Sequence, residues 1–316
     1  MSGIACAGNW ILDQVKTVDC WPGKGELANV LSETTGAGGS PFNVLIDLAR
    51  LRAPFPTLGF GCLGNDARGR EILRICRREG VDAARLSRLS SATTSYTDVM
   101  SVAETGERTF FHCRGANAFF SARYADLPLM KRKGIRIFHL GYLLLLDALD
   151  KPDKKYGTGA ARLLKEVQSA GIQTSVDVVS EASDRFRRVV GPALRFTDHL
   201  IINEVEAEKI TSIRTRNRGG MKEAAEALFR CGVRSLGCLP GGLLCCRGRR
   251  SSHRQAYHRC HSVFVLGLHH QCAASGTAPL RNLFRLQRER RATSAQNGDP
   301  VIVLYYLGCH HRAGLG

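Results

Sequence analysis

Along residues 1 to 234 the apolar positions switch repeatedly between a short, β-branched, strand-like spacing and a helical spacing three to four residues apart. The strand-like runs are Ile4–Ala7, Thr57–Cys62, Ile135–Leu140, Ile172–Val178 and His199–Ile202. The helical ones are Phe42–Arg50, Arg68–Glu79, Gly159–Ala170, Asp184–Leu194, Glu204–Thr211 and Met221–Cys231. This alternation predicts βα units wound around a mostly parallel sheet. Two stretches break the rhythm. Val15–Trp21 and Leu27–Thr34 flank Pro22-Gly23-Lys24-Gly25, while Tyr96–Val102 and Thr109–Cys113 flank Glu104-Thr105-Gly106, and both read as hairpins. The expected architecture is α/β, a doubly wound sheet carrying a small extra β-layer.

Several strings within this frame have chemical content. Gly38-Gly39-Ser40-Pro41-Phe42-Asn43 stands before a helix; paired glycines let backbone approach a ligand closely, and Asn43 offers both a donor and an acceptor, as a polyhydroxyl substrate requires. A Gly-Gly turn before a helix also serves simply as a turn. Gly59-Phe60-Gly61-Cys62-Leu63-Gly64 satisfies the dinucleotide pattern G-x-G-x-x-G, yet its first two glycines lie inside a strand and no strand ending in an acid follows at the required distance. The expectation is a strand-to-helix turn, with Asn65 or Asp66 capping the next helix. Asp13 after an apolar run reads equally as a turn cap, and Asn203 followed by acids reads as a helix N-cap.

Taken in order, these strings resemble the PfkB (ribokinase-like) carbohydrate kinases. The resemblance rests on Gly8-Asn9 through Asp13, Val18-Asp19, Pro22, Gly25, Gly38-Gly39 with Asn43, Gly61 to Asp66 with Gly69, Thr105-Gly106-Glu107-Arg108, Gly115-Ala116-Asn117, Asp177, and Asn203-Glu204-Val205-Glu206. It covers residues 1–234 and implies a ribokinase-like fold whose hairpins, at about 14–34 and 95–114, form a lid. It further implies ATP-dependent phosphoryl transfer to a sugar or nucleoside hydroxyl, with ATP and Mg²⁺ as cofactors. Asn9, Asp13, Gly38, Gly39, Asn43 and Asn117 would then bind the sugar; Asp177, Asn203 and Glu206 would serve the phosphates and Mg²⁺. Pairing of two chains through their lids is also implied. Leu45 is bulkier than the small residue usual at its place in the family.

Residues 235–316 depart from all this. They hold eleven arginines, no lysine and two acids, about +9 of the formal net charge of +17, with half of the cysteines and seven of the ten histidines. Soluble domains of one cell draw on lysine and glutamate alike, so this stretch is expected to be an aberrant tail, translated out of frame or disordered. The family's G-A-G-D segment, whose amides form an anion hole and whose aspartate is the base, has no counterpart after Arg234: the late Gly298-Asp299 is followed by Pro300, which disfavours helix. The resemblance therefore implies impaired turnover and identifies no catalytic base, and the alternative is a non-catalytic remnant or sugar-binding protein. His258, Cys260, His261, His269, His270, Cys272, Cys309, His310 and His311 are zinc-ligand types, but their spacings match no finger or ribbon. The arginines come with no aromatic platform or groove-reading helix, so nucleic acid is not an expected partner. The opening MSGIACAGNWILD lacks a basic leader and no run reaches the length of a membrane span, which sets the expectation of a cytoplasmic protein with mostly free thiols and no membrane partner.

Overall fold

The computed structural model describes residues 2–239, with side chains through residue 237, and the backbone of three further strands, Leu243–Cys246, Val263–Leu266 and Val301–Leu304. The rest of the expected tail, including the zinc candidates from His258 to His311 and the Gly298-Asp299 pair, lies outside the described residues.

In chain order the elements are β1 (Gly3–Gly8), β2 (Ile11–Val18), β3 (Val30–Gly38), α1 (Ser40–Arg50), β4 (Thr57–Gly64), α2 (Ala67–Glu79), β5 (Leu86–Leu89), β6 (Tyr96–Val102) and β7 (Arg108–Cys113). There follow α3 (Leu127–Arg132), β8 (Ile135–Leu143), the single turn α4 (Asp147–Asp150), the short ribbon β9 (Pro152–Asp153) and β10 (Gly157–Thr158), α5 (Gly159–Ser169), β11 (Gln173–Val178) and α6 (Phe186–Leu194). The last are β12 (His199–Asn203), α7 (Glu204–Thr211), α8 (Arg218–Arg230), β13 (Ser235–Leu239), β14 (Leu243–Cys246), β15 (Val263–Leu266) and β16 (Val301–Leu304).

The main sheet runs β14-β13-β12-β11-β8-β1-β4-β5, parallel throughout except for the antiparallel edge strand β14. The doubly wound reading therefore holds. The strands are buried on both faces because alternate residues feed two cores: Ala5 and Ala7 pack into one, Ile4 and Cys6 into the other. β13 begins just beyond the expected boundary at 234 and pairs in register with β12, Ser235 opposite His199.

The two irregular stretches join into a single four-stranded sheet, β3-β2-β6-β7, in which β2 and β6 pair in parallel. Its strands reach further than the sequence pattern suggested. β2 starts at Ile11 and β3 continues to Gly38, so that Pro22-Gly23-Lys24-Gly25 sits in a long connection instead of a tight turn. Trp21, expected in a strand, lies in that connection and stacks on Phe111 at 6.3 Å between centroids. β5 and α3 carried too little periodicity to be seen in the sequence.

The G-x-G-x-x-G string serves packing. Gly59 and Gly61 lie within β4, under the buried indole of Trp10, and a Cβ on Gly61 would overlap that ring. Gly59 also makes room for the bulky Leu45, whose Cδ1 would stand 3.1 Å from an added Cβ. The indole Nε1 donates to the Phe60 carbonyl at 3.0 Å, and its ring meets Phe42 edge-on. Asp66 is the N-cap of α2, accepting from Gly69 N at 2.8 Å, and its other oxygen accepts from Thr94 N at 2.7 Å. The helix and the strand entering the lid are thus pinned to one carboxylate.

Candidate functional site

The site is assembled where the lid meets the carboxyl ends of the central strands, the position at which open parallel sheets place ligands. Asp13 lies on β2, half-buried, with its carboxylate packed so closely against Gly38 that a Cβ there would run into Oδ2. Gly39 follows at φ 91°, a left-handed value that favours glycine, and a Cβ on it would strike the Asn9 carbonyl. α1 then starts with no side-chain cap, leaving its positive N-terminal end available. Asn43, one turn in and half-buried, has no side-chain partner among the described residues, while its amide donates to the Gly39 carbonyl at 3.0 Å. Burial pushes the Asp13 carboxyl up to about 7, partly offset by a hydrogen bond from Thr97.

Asn9 and Asn117 are fully buried and hold backbone. Asn117 accepts from Trp10 N at 3.2 Å and donates to its carbonyl at 3.1 Å, clamping the chain just ahead of Asp13. Asn9 accepts from Tyr142 N at 3.0 Å and leaves its buried Nδ2 without a partner among the described residues.

Behind Gly39 the site continues through Ser40. Its hydroxyl lies 2.6 Å from His139 Nε2, and His139 Nδ1 lies 3.0 Å from Ser175 Oγ. Burial holds the His139 imidazole well below its usual value, to about 4, so it is neutral. A neutral ring carries one N–H, so His139 donates to one of these two hydroxyls and accepts from the other. None of Ser40, His139 or Ser175 was singled out from the sequence. Ser40 sat within a recognised string, but a histidine in an apolar strand gives no sign of its partners.

Asp177 is buried, with Oδ1 unpartnered among the described residues and facing Gly141, where a Cβ would collide with it. Its carboxyl is raised well above the ordinary range, first by burial and then by the charge of Glu206. Glu206 is itself buried and raised by desolvation. It accepts from Ser180 Oγ at 2.8 Å and from Asn203 N at 2.9 Å, while Asn203 Oδ1 accepts from Glu206 N at 2.8 Å. The N-cap reading of Asn203 is thus correct and is compatible with a ligand role, since the positive end of α7 favours negative charge on Glu206.

Two buried carboxylates that repel each other, one with an orphaned oxygen, suit a divalent cation surrounded by water and phosphate oxygens. Among the described residues no three metal-ligating side chains converge.

Known proteins place this arrangement in context. The profile of the pfkB family carbohydrate kinases matches residues 1–234. A ribokinase of Schizosaccharomyces pombe is 31% identical over 121 residues, covering 37% of this chain and 38% of that protein. Probable fructokinase-2 of Arabidopsis thaliana is 28% identical over 196 residues, 58% of this chain and 56% of that protein. The matched stretch spans about two fifths of the length of several curated relatives. The fold is shared with Arabidopsis thaliana ribokinase, solved with ribose and ATP, at a TM-score of 0.64 and 21% identity over 79% of this chain and 77% of that one. Ribokinase from Thermotoga maritima superimposes at a TM-score of 0.61 and 18% identity, covering 84% of this chain and 82% of that one. By the span of the family match and the shared fold, the chain belongs to the pfkB family of carbohydrate kinases.

Proposed function

We propose that residues 1–234 bind a sugar or nucleoside between the lid and α1, with ATP and Mg²⁺ at the ends of β11 and β12, in a framework for phosphoryl transfer to a hydroxyl. The observation that carries this is the line from Asp13 through Gly38, Gly39 and Ser40 to Asp177 and Glu206, with one acid on one side of a helix N-terminus and two buried acids on the other. Asp13 would accept from a substrate hydroxyl and Asn43 would both donate and accept. Asn203 and Glu206 would orient waters around Mg²⁺, and Asp177 would lie nearer the phosphates. Mg²⁺ bound there would neutralise phosphate charge.

A second reading is favoured by one feature of the sequence. With no G-A-G-D counterpart after Arg234, the chain lacks the family's anion hole and base, the dominant electrostatic contribution to such a reaction. Sugar binding with little or no turnover is then the expected behaviour of the chain as written. A coupled ATPase assay across pentoses, hexoses and nucleosides, paired with calorimetric sugar binding, separates the two: turnover supports the enzyme, binding alone supports the sugar-binding protein, and neither removes both.

The outer parts of the lid bear on partners. Val30, Leu31, Phe110 and Phe111 are all more than half exposed. Such an apolar edge suits a second copy of the chain, and light scattering across a concentration series tests for a homodimer. Among the described residues no helix is long and apolar enough to cross a membrane.

A further inference from the structure

The main sheet ends at β5, the edge farthest from β14, and there it carries a cleft of about 250 Å³ that shares no residue with the site between the lid and α1. Its floor is Phe60 on β4. Phe60 packs into the core of Ala5 and Ala7, whereas α1 sends Phe42 and Leu45 into the other, so the cleft lies on the face of the sheet away from α1. Leu86 packs toward the α1 side, which turns Ser87, the next residue of β5, toward the cleft. The facing wall is Arg123, Tyr124 and Asp126, from the segment between β7 and α3.

Both walls hold a guanidinium. Arg85 follows a turn fixed by bonds from Ala84 N to Asp82 Oδ1 at 2.9 Å and from Leu86 N to the Ala83 carbonyl at 3.1 Å. It is exposed, and its side chain has neither an ion pair nor a hydrogen bond among the described residues. Arg123 is oriented by its neighbour: Nη2 donates to the Tyr124 hydroxyl at 2.5 Å, and the guanidinium lies 4.6 Å from the centre of that ring. The ring in turn stacks on the fully buried Phe120 at 6.0 Å. Among the described residues no acid pairs with Arg123. One carboxylate shares the cleft. Asp126 Oδ1 caps α3 by accepting from Leu129 N at 2.9 Å, and Oδ2 has no partner among the described residues.

Two guanidiniums without acidic partners, one of them held in a fixed orientation, match the several oxygens of one phosphoryl group. The Asp126 carboxylate beside them repels a bare anion but accepts readily from a hydroxyl, and Ser87 can donate or accept. The volume falls below the about 300–1,000 Å³ of sites for drug-sized ligands, so there is room for one phosphoryl group on a small body and not for a polymer. We propose that this cleft is a second ligand site, which binds a small sugar phosphate with its phosphoryl group between Arg85 and Arg123 and a hydroxyl on Asp126 Oδ2. The assignment rests on the cleft's own residues and does not require that this chain itself produce the phosphorylated sugar.

The test is a titration of the ¹⁵N-labelled full chain, followed by its assigned amide spectrum, with D-ribose 5-phosphate, D-fructose 6-phosphate, the two free sugars and inorganic phosphate. At least one sugar phosphate should shift the amides of residues 84–88 and 123–126, the free sugars should leave them in place, and inorganic phosphate should bind there about tenfold more weakly. Arg85→Ala, at an exposed position, should weaken that sugar phosphate about tenfold through loss of a charge-assisted contact. Asp126→Asn still caps α3. It should lower affinity for the sugar phosphate and raise it for inorganic phosphate, because it removes a hydroxyl acceptor and a repelling charge together. Shifts confined to the amides of 38–43 and 203–206 would place the sugar phosphate in the lid site alone, which overturns the cleft and leaves the sugar-binding reading intact. Cleft shifts that survive Arg85→Ala undiminished, equal binding of phosphate and sugar phosphate, or no cleft shift with either sugar phosphate would also overturn it.

Discussion

Asn203 and Glu206 hold each other: the Asn203 side chain accepts from the Glu206 amide at 2.8 Å, and the Glu206 side chain accepts from the Asn203 amide at 2.9 Å. One motif thus caps α7 and fixes the Glu206 carboxyl at its N-terminus. Replacing Asn203 by Ala should lower stability by about 1 kcal/mol, and replacing it by Asp should leave stability nearly intact, because aspartate caps equally well. Glu206→Gln keeps an acceptor for the Asn203 amide but removes the charge, so it should leave the denaturation midpoint close to wild type while weakening Mg²⁺-dependent ATP binding. Urea denaturation with titration of a fluorescent ATP analogue checks both. Equal loss of stability in Asn203→Ala and Asn203→Asp would contradict the cap.

Asp13 predicts an unusual pH dependence. Its folded carboxyl, at about 7, lies above the ordinary 3.8 because burial disfavours the charge. The folded state therefore binds this proton more tightly than the unfolded chain. That stabilisation is complete below about 3.8 and is lost as pH rises through 7. Asp13→Asn cannot ionise, so its melting temperature should exceed that of wild type increasingly between pH 4 and 7, with a constant gap above. Thermal melts at unit pH intervals test this, and parallel curves would argue against a desolvated carboxylate. Sugar affinity should fall in the same variant, trading function against stability.

Gly61→Ala should be strongly destabilising despite its small size. The added methyl would overlap the Trp10 indole, which is locked by its bond to the Phe60 carbonyl and by contact with Phe42. Overpacking of this kind costs about 1–3 kcal/mol. Trp10→Phe in the same chain should recover part of the loss, since the smaller ring leaves room. Denaturation of the two single variants and the double variant measures the coupling, and strict additivity would show that the glycine matters for another reason.

The strands and helices of the sheet were readable because burial on both faces and amphipathic spacing leave strong periodic marks, as in His199–Asn203 and Glu204–Thr211. β5 and α3 were not readable, since segments of four and six residues are too short for a period to emerge. The lid's extent was misjudged for a different reason: Ala37 and Gly38 look like turn residues, and their place in a strand is set by the need to approach Asp13. In the site, the glycines, Asp13, Asn43, Asp177 and the Asn203-Glu206 pair were visible as motif residues. Thr97, Ser40, His139 and Ser175 were not, because their partners are remote in sequence and come together through strand register.

Arg114 offers a final test of how the lid is attached. It stands one residue past β7 and donates to the Leu144 carbonyl at 2.6 Å, to Asp147 Oδ1 at 2.9 Å and to Glu181 Oε1 at 2.6 Å. The lid is thereby tied to the loops following β8 and β11. Arg185 also reaches Leu144 and Glu181, so both the carbonyl and the carboxylate keep one partner when Arg114 is removed. Lysine preserves the charge but not the planar fork that spans three acceptors. Arg114→Lys and Arg114→Ala should therefore both lower stability, by about 1–2 kcal/mol given the partial exposure of the guanidinium. The sharper expectation is spatial: hydrogen exchange should accelerate in Tyr96–Val102 and Arg108–Cys113, while β1, β8 and β11 keep their protection, because the lost bonds lie between the lid and the core and not within either. Exchange that quickens evenly across the chain would mean that Arg114 supports the whole fold, and unchanged exchange would mean that other contacts, such as the Asp66–Thr94 joint and the Asn117–Trp10 clamp, hold the lid.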